Sequence, residues 1–345
     1  MEYIREININ EAIIHILDGN GDEPLLNEFK LDLSEDIYTF LLKHLERLLK
    51  DEELKYAVFN EGRNIVKEIS QEYLNGENDL LEVSKELARQ LFIHMKTNVN
   101  ISSCDLIIVS ISTEHGPMLG ILKMDYVKNF THKIDFTEDK MGINIVPQLA
   151  GLPSSSQKIQ KCAFIKPIRA EQTFNLMVID KQNKSKEAED YGSNYFINNF
   201  LGCTIISNER DMTKNFLKAA ETWTRKNIKE DADKAEVIRT TIKQKLKEEE
   251  LIDINELSQD LFKEEPQAKE NFVQFVSAQG LDSNVSIDKE WVEKKLKRIR
   301  LKIDKDIDVY LNEEAYHDIN RFEIHRNGDG SINMIIKHVM NYMEK

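Results

Sequence analysis

Residues 105–127 read "DLIIVSISTEHGPMLGILKMDYV". Two runs of β-branched and long apolar side chains flank the short connection "EHGP", and so short a link joins antiparallel neighbours. Downstream, "INIVPQL", "KCAFIKPI" and "TFNLMVID" repeat the strand signal with short turns between them. Upstream, "EYIREININEAIIHILD" is rich in β-branched residues and ends at the turn formers "DGNGDEP". "EFKLDL" then alternates like a returning strand. Ser34, Glu35 and Asp36 read as a hydroxyl cap followed by acids that favour a helix start. That helix carries Ile37, Phe40, Leu41, Leu45 and Leu48 along one side. A second helix, "DLLEVSKELARQLFIHMKTN", places Leu80, Ser84, Leu87, Ala88, Leu91 and Met95 in one stripe. The expected fold class is α+β, with an antiparallel sheet and packed helices in the N-terminal half.

The polar stretch "DKQNKSKEAEDYG" marks the expected boundary, giving an α+β sheet domain over 1–187 and a helical domain over 188–345. Helical patterns follow in "NYFINNFLG", "ERDMTKNFLKAAETWTRKN" and "ADKAEVIRTTIKQKLKEEE". Shorter helices are expected at "INELSQDLF" and "PQAKENFVQFVSAQGL", where Gly280 ends the second. The last sixty residues return to strands, and "RFEIHRNGDGSINMIIKHV" reads as a terminal hairpin turning at Asn327–Gly330.

A chain of 345 residues with 41% hydrophobic content and six prolines can bury two ordinary cores. It shows neither a leader pattern nor a run of eighteen apolar residues, so a cytoplasmic protein without a membrane partner is expected. Cys104, Cys162 and Cys203 are odd in number and far apart, which offers no disulfide framework and no local zinc pattern. Neither a G-x-G-x-x-G nor a Walker loop occurs, and no cofactor is called for. "DKDIDVYLNEEA" starts like a calcium loop but puts Val309 at the glycine position and Ala315 at the bidentate glutamate position. Its Asp304, Asp306 and Asp308 with Glu313 and Glu314 would be the carboxylates of a remote alternative, a metal-dependent nuclease. The eight histidines do not cluster, and His15, His44 and His94 sit among apolar residues. No catalytic or metal-binding residue is assigned.

Charge is more informative. The net charge is −14, yet Gly151–Lys229 holds 13 Lys/Arg against 8 Asp/Glu. A second basic run puts six cations within nine positions, Lys294 to Lys302. In "RIRLKIDKDIDV", Ile299, Leu301, Ile303, Ile307 and Val309 share one parity, and Arg298, Arg300, Lys302, Asp304, Asp306 and Asp308 share the other. A strand with that alternation buries one face and presents a charged one, basic at one end and acidic at the other. The basic end suits phosphate oxygens. Antiparallel pairing of two copies about Ile303 would oppose Arg298 to Asp308, Arg300 to Asp306 and Lys302 to Asp304, and so support a homodimer.

The order of "SKELARQLF", "DLIIVSI", "GILKMDY", "YFINNFLGC", "DMTKNFLKAAETW", "FVQFVSAQGL" and the tail from "RIRLKIDKDIDVYL" to "INMIIKHV" resembles the bacterial nucleoid-associated protein family of the NdpA type. The resemblance spans almost the whole chain and rests on order and spacing, not on a catalytic signature. It implies a non-enzymatic cytoplasmic protein of the nucleoid that binds double-stranded DNA with low specificity. Candidate phosphate contacts are Lys158, Lys161, Lys166, Arg169, Lys214, Arg225 and Lys226 in the central region, with Lys294, Lys295, Lys297, Arg298, Arg300 and Lys302 in the later run. Trp223, beside Arg225 and Lys226, could stack on a base or belong to the core. A helix-turn-helix within "ADKAEVIRTTIKQKLKEEELIDINELSQDLF" is a further expectation. The alternative is an acidic interaction factor recruited to the nucleoid by a protein partner.

Overall fold

The computed structural model describes residues 1–98, 100–137, 140–150, 152, 158–181, 194–229, 231–303, 306–327 and 331–343. They form two compact units, Glu2–Ser207 and, with Met1, Asn208–Lys345. The domain boundary expected near residue 187 falls outside the described residues.

The first unit runs β1 (Ile7–Leu17), α1 (Glu35–Leu49), β2 (Lys55–Phe59), α2 (Ile65–Leu74), α3 (Leu80–Thr97), β3 (Cys104–Thr113) and β4 (Gly116–Asp125). It continues through β5 (Val127–Thr137), β6 (Lys140–Ala150), β7 (Lys161–Ile165), β8 (Leu176–Asp180), a π-helical segment (Tyr195–Leu201) and β9 (Cys203–Ile206). Seven strands form one sheet in the order β1-β3-β4-β7-β8-β2-β9, with every neighbouring pair antiparallel. The hairpin read at 105–127 supplies its second and third strands, between β1 and β7. Thr113 pairs with Gly116, and Gly116 takes φ +104°, a conformation that costs glycine little. At Gly120 a Cβ would lie 2.7 Å from Val109 Cγ1, so only glycine lets β3 and β4 pack there.

β3, β4, β7 and β8 are buried on both faces, which is why they read as continuous apolar runs. On one face Leu106, Ile108, Leu119, Ile121, Ala163 and Val178 meet the α3 stripe and Phe196, Phe200 and Leu201 of the π-helical segment. Each such side chain contributes roughly 1.5–3 kcal/mol by leaving water. All three cysteines are buried, and burial pushes the thiols of Cys104 and Cys203 up to about 12.

His15 is a satisfied core histidine. Its Nδ1 accepts from the Asn27 N–H (3.0 Å), which leaves Nε2 to donate to Ser84 Oγ (2.9 Å). Ser84 in turn donates to the Leu81 carbonyl. Burial lowers the His15 pKa to about 4, with Lys85 and Arg89 adding to the effect.

Some expectations need correction. "EFKLDL" is not a strand; the segment is tied to β1 by the Leu31 N–H donating to the Ala12 carbonyl, and the Ile16–Leu25 bridge lies just before it. Ser34 sits at the N-cap of α1 without a side-chain cap bond, leaving Glu35 and Asp36 to favour that end. Strands β2, β5 and β9 were not anticipated. β5 and β6 pair over their whole length as a ribbon separate from the seven-stranded sheet.

The second unit runs α4 (Glu209–Asn227), α5 (Ala232–Glu248), β10 (Leu251–Asp253), α6 (Ile254–Leu261), α7 (Pro266–Ser277), β11 (Asn284–Ser286), α8 (Lys289–Leu296), β12 (Arg298–Ile303), β13 (Ile307–Asn312), α9 (Glu313–His317), β14 (Phe322–Arg326) and β15 (Ile332–Ile336). Asn208, Asp231, Asp253 and Asp288 each accept a backbone N–H at a helix start, a cap worth about 1 kcal/mol apiece. Gly280, at φ +77°, follows the end of α7 as expected. The core gathers Phe216, Trp223, Ile238, Ile242, Leu246, Phe262, Phe272, Val276 and Val292. β14 and β15 form the expected terminal hairpin, with the Asn327 N–H donating to the Ser331 carbonyl; residues 328–330 of its turn lie outside the described residues.

Candidate nucleic-acid interface

The basic run begins on α8. Asp288 caps this helix by accepting from the Trp291 N–H (3.0 Å), and Trp291, Val292 and Leu296 bury its inner side. That packing leaves Lys294 and Lys295 exposed in the last turn, where cations complement the helix dipole. Lys297 ends the helix, and Arg298 opens β12. Lys294, Lys295, Lys297, Arg298 and Arg300 are all exposed. Lys294 pairs with Glu290 one turn back. Among the described residues Lys295, Lys297 and Arg298 have no ion pair.

The stretch 298–312 is not one continuous strand. β12 folds back on β13, pairing Arg298 with Asn312, Arg300 with Tyr310, Lys302 with Asp308 and Ile303 with Ile307. The continuous strand through Ile303 that pairing of two copies about that residue requires is therefore not formed. Arg300 grips the Asp308 carboxylate with two bonds of 3.0 Å and lies 5.4 Å over the Tyr310 ring. The guanidinium holds the Asp308 carboxyl below the usual carboxylate range. The side chain of Lys302, and residues Asp304 and Lys305, lie outside the described residues.

On α4, Lys214 is half-buried with its ammonium 5.9 Å over the Trp291 ring. Arg225 and Lys226 are exposed in the last turn, about 16 Å further along the axis at 1.5 Å per residue. Lys226 lies 5.4 Å over Phe275. So Lys214 and the Arg225–Lys226 pair lie apart on α4, with the exposed Lys218 between them. Trp223 is core: it is 1% exposed, packs against Phe262 and Phe272, and donates Nε1–H to Asn271 Oδ1 (2.7 Å).

The four central cations of the first unit divide. Lys158 and Arg169 are exposed. Lys161 is buried against Asp180 and lies 5.0 Å from the Tyr195 ring. Lys166 is buried, donates to both Glu2 carboxylate oxygens (2.9 and 2.8 Å) and lies 4.6 Å over Phe174. Both ammonium groups are spent inside the protein and present no charge to a duplex. Strand parity explains Lys161. It is the register partner of Lys123 on β4 and of Asp180 on β8, so all three point to the face sealed by the π-helical segment. Lys123, 1% exposed, pairs with Asp125 and donates to Ser102 O (3.1 Å). The sequence reading passed over Lys123, although Lys123 and Asp125 share one parity within an apolar strand.

The helix-turn-helix expected within 232–262 takes another form. A strand, β10, separates α5 from α6, and the four-residue turn Phe262–Glu265 lies instead between α6 and α7. The exposed Glu264, Glu265 and Glu270 around the start of α7 oppose Lys263 and Lys269, which gives that helix no positive face. Among the described residues no three His, Cys, Asp or Glu side chains converge as a metal site. No described helix is long and apolar enough to cross a membrane.

No curated protein matches the chain. A family described as "Nucleoid-associated protein YejK" matches residues 13–344, which takes in both units and the whole of the basic run. The chain belongs to this family of bacterial nucleoid-associated proteins.

Proposed function

We propose that the protein binds double-stranded DNA weakly and with low specificity, through phosphate contacts made by its C-terminal unit. The observation that carries this reading is the junction of α8 and β12. Five exposed cations, Lys294, Lys295, Lys297, Arg298 and Arg300, occur within seven positions where α8 passes into β12. Arg225 and Lys226 are a secondary contact, as are Lys158 and Arg169 in the first unit. The arrangement offers charge without a base-reading element, so sequence preference is expected to be small. The role is architectural and not catalytic, and the place of work is the nucleoid in the cytoplasm.

Three cations without an ion pair predict a log–log salt slope of about −3, rising toward −4.5 if Lys294 and Arg300 exchange their carboxylates for phosphates. Affinity at physiological salt is then on the order of 10–100 µM. Titrating labelled duplex at several salt concentrations tests this, and the absence of binding at low salt removes it.

A second reading is favoured by a different observation. Residues 1–207 hold 22 Lys/Arg against 32 Asp/Glu, while 208–345 hold 25 against 29. The N-terminal half carries most of the negative charge and suits a basic protein partner better than DNA. Recruitment through such a partner would leave isolated protein unable to bind duplex.

A further inference from the structure

We infer that the β5–β6 ribbon is a self-association arm whose apolar face packs on the same face of a second copy. The register of the ribbon sorts its side chains cleanly. On one face Phe130 pairs with Pro147, His132 with Ile145, Ile134 with Ile143, and Phe136 with Met141. On the other, Asn129 pairs with Gln148, Thr131 with Val146, Lys133 with Asn144, and Asp135 with Gly142. The polar face is internally satisfied, with Lys133 at 2.9 Å from Asp135 and Asn144 donating to Asp135 at 3.3 Å. The apolar face is largely open to solvent: Phe130, Ile134, Phe136, Met141, Ile143 and Ile145 are 48–79% exposed.

An isolated two-stranded ribbon is marginally stable in water. This one has eleven residues in each strand, about 36 Å at the usual rise. Something must cover its apolar side, and three observations select a second copy. First, with side chains of roughly 200 Å² each, the exposed apolar area is about 700–800 Å², which matches the ~800 Å² each partner gives to a standard interface. Second, His132 is the one titratable group among the described side chains of this face. Two copies, each carrying −14, can therefore meet there without bringing carboxylates together. Third, the face is apolar along the register from Phe130 to Phe136, so two ribbons related by a twofold axis and stacked about 10 Å apart would bury all twelve side chains. The contact is isologous and closed.

The test is sedimentation equilibrium of the full chain over a wide concentration range. The expected result is a reversible dimer of the 40.2 kDa chain. Ile143→Asp combined with Ile145→Asp should raise the dimer dissociation constant at least 100-fold. A single Thr131→Asp on the polar face should change it less than 3-fold. Both variants alter exposed positions outside the seven-stranded sheet, so near-UV circular dichroism should be unchanged. A single Ile134→Cys should also give a disulfide-linked dimer on mild oxidation. Wild type that stays monomeric, or a dimer indifferent to the Ile143/Ile145 change, overturns the inference. A monomer that instead co-sediments with lipid vesicles through this face would also overturn it and name another occupant.

Discussion

Lys161 and Lys295 are the same residue type in one acidic chain, yet the fold uses them in opposite ways. In the first unit, strand parity turns Lys123 and Lys161 inward, where each meets an aspartate. In the second, Trp291, Val292 and Leu296 take the inner side of α8, and the cations between them are left outside. Whether a basic residue is structural or available to a partner is set by the apolar residues around it, not by the local charge count. Inward lysines hold a sheet together; outward ones are proposed to hold DNA.

The sharpest way to break this contrast is Asp180→Ala. It leaves the Lys161 ammonium buried without its carboxylate, a loss on the order of 3–5 kcal/mol. Urea denaturation of the full chain would show the effect, and a change below about 1 kcal/mol would mean that water reaches Lys161 after all. Replacing both partners, Lys161→Met with Asp180→Leu, should recover most of the stability, since an apolar pair of similar volume often substitutes for a buried ion pair.

A second test sharpens the description of the first unit's interior. The His15 pKa is lowered from 6.5 to about 4 in the fold, so between those values the unfolded chain binds the extra proton. Stability from this group is complete above pH 6.5, falls as the pH drops through that window, and is lost by about pH 4. The loss is on the order of 3 kcal/mol. His15→Gln should flatten that part of the urea midpoint against pH, and an unchanged profile in the variant would assign the acid sensitivity elsewhere.

The outward cations are tested by binding. Lys295→Glu, Lys297→Glu and Arg298→Glu together should weaken duplex binding 10- to 100-fold at 50 mM salt. The urea midpoint should fall only slightly: the three positions are exposed, and the cost is that of placing acids at the C-terminal end of α8, where the helix dipole disfavours them. The smallest expected effect is a gain. Asp308→Asn releases the Arg300 guanidinium, and duplex affinity should rise a few-fold with a steeper salt slope. Fluorescence anisotropy would resolve it, and a loss of affinity would mean that the ion pair orients Arg300 productively.

Much of the architecture was legible because period reports burial. The α3 stripe is buried at all six positions read from its spacing, and the β3–β4 hairpin follows from two apolar runs with a glycine at the turn. β5 was missed because "VKNFTHKIDFT" mixes Lys, Asn, His and Asp into its alternation, which dilutes the strand signal that is plainer in "EFKLDL". The latter has the pattern but gains only an isolated backbone bond to β1. The segment 298–309 shows a different limit. Ile303 and Ile307 flank a three-residue connection, which preserves parity, so alternation alone cannot separate one long strand from a hairpin. For the site, composition found the run at 294–302 and local helix packing explains its exposure. It could not tell that Lys161 and Lys166 point inward, because charge counting is blind to which face of a sheet a side chain occupies.

The most direct measurement is a duplex-DNA titration of the full chain at 50, 100 and 200 mM salt, wild type beside the Lys295/Lys297/Arg298 charge reversal. The expected result is a wild-type slope of about −3 in log affinity against log salt, and a slope in the variant shallower by close to 2.7. Equal slopes in the two proteins, or no wild-type binding at 50 mM, would contradict direct contact between this basic junction and the double helix.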